Sequence, residues 1–140
     1  MINIGYSPPI IDNVVKPVLT IPQLVSPQQI LADEVARLAN NGNPHDISRP
    51  VNPFQLDVPT GLQLPDGVRE LAIGVVASTS PGNVLAILSY IVWTGTLSFH
   101  VVTGGAQVPV GLYVFENVIL RHVESGIDSE PFTIRFNLLP

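Results

Sequence analysis

The chain has 140 residues, a net charge of −5, no cysteine and only 12% charged residues, about half the usual share of roughly 25%. A length of this order fits one domain and lets roughly 68–70% of the unfolded chain's surface be buried. The missing cysteines exclude disulfides and thiolate metal sites. The scattered arginines (Arg37, Arg49, Arg69, Arg121, Arg135) and the single lysine, Lys16, form no basic patch, so no nucleic-acid partner is expected.

Residues 1–25 alternate apolar clusters with Pro8, Pro9, Pro17 and Pro22. Each proline removes a backbone donor and biases its predecessor toward extended geometry. The segment is therefore expected to be an extended arm. Its apolar side chains, among them Ile4, Tyr6, Ile10, Ile11, Val14, Val15 and Val18, are too many for a free tail. They are expected to dock, either on the chain's own domain or on a neighbour. The N-terminus lacks the basic start and apolar stretch of a secretion signal, and no apolar run is long enough to span a bilayer. Neither export nor a membrane partner is expected, and synthesis in the cytosol is.

One short helix is predicted over residues 26–41. Ser26 is its cap, Pro27 its first residue, and Leu31, Val35 and Leu38 form its apolar stripe. Asn40-Asn41-Gly42 ends it. Residues 43–67 return to proline-punctuated loop containing a short strand, Phe54–Val58. Ten of the fourteen prolines precede residue 66, and the texture changes from Val68 onward.

Strands are predicted at Glu70–Ala77, Val84–Thr94, Thr96–Val102, Val108–Phe115, Asn117–Glu124 and Phe132–Leu139. Turn signals separate them, with Gly104-Gly105 read as a hairpin turn. The spacing indicates a mainly β domain over 26–140, an antiparallel β-sandwich or jelly roll. Val84–Trp93 is apolar on both faces, and Leu112–Phe115 behaves similarly, although a half-solvated strand should alternate. At least one such face is expected at a subunit interface. Tyr90, Trp93 and Tyr113 therefore join the arm residues as the candidate assembly interface.

No catalytic constellation stands out. His45, His100 and His122 are isolated, and Phe99-His100-Val101-Val102 lacks the His-x-His pair of cupin-type metal sites. Neither Ala77–Gly82 nor Glu124–Gly126 fits a Gly-x-Ser-x-Gly elbow. Glu124, Asp128 and Glu130 share a loop without the alternating ligands of a dedicated calcium site. No enzyme activity, metal or cofactor is expected.

Taken together, the arm, the Cys-free and lysine-poor composition and the β-rich body resemble the small decoration or cement proteins of tailed-phage capsids, and more broadly minor virion proteins. The resemblance implies a non-enzymatic structural protein of the virion, a homo-oligomer of trimeric type. Its partner would be the major capsid protein or another shell subunit, reached by the arm. No functional residue is carried over. The strand aromatics also fit an alternative, a carbohydrate-binding β-sandwich module for adhesion or receptor binding.

Overall fold

A computed structural model describes residues 25–140. The interface residues expected within the arm, Ile4, Tyr6, Ile10, Ile11, Val14, Val15 and Val18, lie outside the described residues. The described chain is mainly β: two sheets and one short helix near the N-terminus.

Helix α1 spans Pro27–Ala39 and starts as the sequence dictates. Gln29 N–H donates to the Ser26 hydroxyl at 3.1 Å, and Pro27 occupies the first turn, where its missing N–H costs nothing. Asn40 takes the left-handed conformation at φ 52° and ends the helix. The helix buries Leu31 and Leu38 against β7, β8 and β9, while Arg37 reaches the carbonyl of Gln63 at the end of β2. It therefore ties the two sheets together.

The strands are β1 (His45–Ile47), β2 (Asp57–Gln63), β3 (Val68–Leu71), β4 (Ala77–Thr79), β5 (Leu85–Ile91), β6 (Thr96–Val102), β7 (Gly111–His122), β8 (Ile127–Asp128) and β9 (Phe132–Leu138). The six-stranded sheet runs β1-β9-β7-β3, with β4 and β8 also paired to β7. The three-stranded sheet runs β2-β6-β5 and is antiparallel. An isolated bridge between Val76 and Ile87 links the approach to β4 with β5. β1 pairs with β9 in parallel, so the larger sheet is mixed rather than purely antiparallel.

The sheets face each other across an aromatic centre. Phe99 of β6 lies 4.8 Å from Tyr113, 5.4 Å from Phe115 and 5.7 Å from Phe136, measured between ring centroids. Its three partners come from β7 and β9, on the opposite sheet. Each such pair contributes about 0.5–1.5 kcal/mol beyond the burial of its area. All four rings are fully buried.

Several strand expectations shift. The two strands expected at Val108–Phe115 and Asn117–Glu124 are one 12-residue strand, β7. A bulge at Glu116-Asn117, with Asn117 at φ 60°, lets the strand continue. The inward set changes phase there, from Tyr113 and Phe115 to Val118 and Leu120. The strand expected at Phe54–Val58 is displaced to β2, because Pro59 sits on an edge strand, where a missing donor is tolerated. Glu70–Ala77 resolves into β3 and β4, separated by Gly74 at φ 73°. Gly104-Gly105 is not a hairpin turn, since β6 and β7 belong to different sheets and the segment between them crosses the sandwich.

Candidate assembly surface

Strand β5 carries two apolar sets that meet different surroundings. Ala86 and Leu88 point inward and are fully buried. Leu85, Ile87 and Ile91 point outward and keep 36–47% of their surface exposed. Cross-strand partners share a face, so the register extends this outer set. Val102 stands opposite Leu85, and Val76 opposite Ile87. Both are exposed as well. The result is an apolar stripe along the β5 side of the smaller sheet.

The rest of that face is polar. His100 Nδ1 and Asp57 Oδ1 are 2.8 Å apart, in the same cross-strand row as Ile87. Ser89 and Ser98 bring their hydroxyls within 3.3 Å. Beyond Ile91 the chain reverses through Val92-Trp93-Thr94-Gly95, with Gly95 at φ 69° supplying the tight turn. Trp93, the chain's one tryptophan, stands 95% exposed at this tip beside exposed Val92.

A strand of this kind invites association. Leu85–Ile91 contains no charge, proline or glycine to blunt it. Exposed runs with high β-propensity and low charge aggregate unless something covers them.

The sequence-selected aromatics separate cleanly. Trp93 is on the surface. Tyr90 is half-buried and packs against the core from the inner side of β5. Tyr113 is withdrawn from the candidate interface: it is fully buried beside Phe99, and its hydroxyl donates to the Pro109 carbonyl at 2.5 Å. Burial pushes its pKa up to about 12, partly offset by Arg49. Sequence reasoning identified two-sided β5 but selected only its aromatics. Leu85, Ile87 and Ile91 were signalled by their odd-numbered alternation, whereas Val76 joins them only through the Ile87 bridge.

Chemistry elsewhere is sparse. Among the described residues no three His, Asp or Glu side chains gather to hold a metal ion. Asp128 is engaged by Arg121 at 2.8 and 3.3 Å, and that hydrogen bond holds its pKa below the usual carboxylate range. His45 Nε2 donates to the Leu38 carbonyl at 2.7 Å, and His122 Nδ1 meets the Ser125 hydroxyl at 2.8 Å within a tight turn. Ser125 Oγ also accepts from Ile127 N–H, so this pair closes the β7–β8 turn.

One acid departs from this pattern. Glu70 lies on the inner face of β3, buried, with Oε1 lacking a hydrogen-bond partner among the described residues. Desolvation pushes its pKa up to about 7.

Compared with known proteins, the chain matches no family model, no curated protein and no solved structure. No helix among the described residues is long and apolar enough to cross a membrane.

Proposed function

We propose that this protein is a non-enzymatic structural subunit that self-associates and stabilises a larger assembly. The observation that carries the reading is the apolar stripe Leu85, Ile87, Ile91, Val76 and Val102, ending at exposed Trp93. Tryptophan at the centre of a desolvated contact is among the side chains that dominate binding energy. Closed symmetric association would cover the stripe. A trimer bound to a viral shell is the form favoured by the resemblance to capsid decoration proteins, and the virion is then its location.

Native mass spectrometry of the full chain at micromolar concentration tests the reading. A trimer, or another closed oligomer, is expected. A stable single-chain mass would overturn it.

Trp93 also favours a second reading, a carbohydrate-binding module, because an exposed ring can stack on a sugar face. Glycan-array binding that disappears in Trp93→Ala, from a chain of single-copy mass, would replace the first reading with this one. Absence of glycan binding removes it.

A further inference from the structure

A second apolar surface lies between α1 and the segment that follows β7. It is a groove of about 440 Å³, floored by Leu31, Val35 and Ile127 and rimmed by Gln28 and Glu130. That volume falls within the range of built binding sites, roughly 300–1,000 Å³. Leu31 is buried at its base, yet Ala32 and Ala36 remain exposed along its wall. The helix thus spends one apolar flank on the core and leaves the adjoining flank unpartnered among the described residues.

Twenty-four residues precede the described chain, which begins at Val25, next to the Ser26 cap of this same helix. They carry only two charged residues, Asp12 and Lys16. Lys16 is the chain's one lysine, and it directly follows Val14 and Val15. An apolar pair followed by a cation matches an apolar floor beside the Glu130 carboxylate.

We propose that the groove seats Val14-Val15-Lys16 of the chain's own N-terminal segment, with the two valines on the floor and Lys16 at the Glu130 rim. Reach and tethering select the chain's own segment over a second copy's. Eleven residues from Val15 to Ser26 span up to about 36 Å. The groove follows α1 only from Gln28 to Ala36, a rise of about 12 Å. A short tether gives an effective concentration in the millimolar range, on the order of a thousandfold above a free copy at micromolar concentration, and a neighbour's segment within an oligomer would leave an inter-chain disulfide instead. The N-terminal segment is thereby a strap on its own domain. It leaves the β5 stripe as the surface offered to other subunits. This proposal stands independently of the assembly reading, which native mass measures separately.

The Cys-free chain makes a direct test available, because any introduced cysteine pair reports only the chosen contact. In full-length protein, Ala32→Cys is combined in turn with Val14→Cys, Val15→Cys and Lys16→Cys. Val15→Cys with Leu112→Cys, an exposed position on β7, is the control. Mild oxidation should form an intramolecular disulfide, at single-chain mass after denaturation, at least fivefold faster in one of the three pairs than in the control. A smaller excess in all three, or a disulfide found only between two chains, overturns the proposal. As an independent readout, Ala36→Trp fills the groove from an exposed position. It should speed amide exchange at residues 14–16 at least tenfold relative to the natural chain, and unchanged exchange contradicts the seating. A small molecule co-purifying with the full-length chain and displaced by Ala36→Trp, with exchange at residues 14–16 unaffected, also overturns it.

Discussion

The two sheets break the alternation of apolar-in and polar-out in different places. The six-stranded sheet carries polar rows outside, although Leu112 and Val114 of β7 put apolar side chains on that face as well. Arg69, Arg121 and Asp128 form a charged row across β3, β7 and β8, and Asn137 of β9 donates to Asp46 of β1 at 3.2 Å. Its inner face holds an acid, Glu70, buried with one oxygen unpartnered among the described residues. The three-stranded sheet is conventional inside, with Leu88, Leu97, Phe99 and Val101 fully buried. Its irregularity is outside, along β5. A buried acid costs stability within one subunit, whereas an exposed apolar stripe is relieved only by another surface. The second irregularity is therefore the one that points to function.

Changes at the shared core, the buried acid and the charged outer row separate these effects. The largest loss is expected from Phe99→Ala, which removes the ring holding the sheets together. It should lower unfolding free energy by about 3–5 kcal/mol in denaturant titration, whatever the state of assembly.

Glu70→Gln comes next and acts in the opposite direction. The folded acid has a pKa of about 7 against 4.5 for the free side chain, so the folded state binds more protons between those values. Stability should then be highest below pH 4.5 with respect to this group, and lost as pH rises through about 7. The glutamine variant, which cannot ionise, should gain about 2–3 kcal/mol over the natural chain at pH 8, and the gain should shrink as pH falls toward 4.5. A pH-independent difference would contradict the burial of the charged form.

The smallest effect belongs to the outside of the six-stranded sheet. Arg121→Ala breaks an exposed ion pair and should change neither the melting temperature measurably nor the mass of the assembly. A change of oligomeric mass there would move the interface to the wrong sheet.

The sequence made some of this legible and hid the rest for identifiable reasons. Ser26, Pro27 and Asn40 encode the helix ends through local hydrogen bonds and backbone geometry, which need no tertiary information. Thr96–Val102 and the Gly95 turn are equally local. The continuity of β7 was hidden because Asn117 looks like a strand break until its bulge is seen. β1 has three residues and gains its identity only from pairing with distant β9. The candidate surface was half legible. Both β5 and β7 looked apolar on two sides, and nothing local distinguishes Trp93, which stands in solvent, from Tyr113, which lies against Phe99. The difference comes from which strand ends in a hairpin tip and which runs through the middle of a sheet.

If the β5 stripe joins subunits, a charge placed on it must separate them, and sedimentation velocity of the full chain against Ile87→Glu reads this out. Ile87 is exposed, so the charge leaves the subunit's own core intact. An oligomer is expected for the natural chain and single-copy sedimentation for the variant, with the circular dichroism spectrum unchanged. A natural chain that sediments as a single copy, or a variant that keeps the natural chain's oligomeric size, would contradict it.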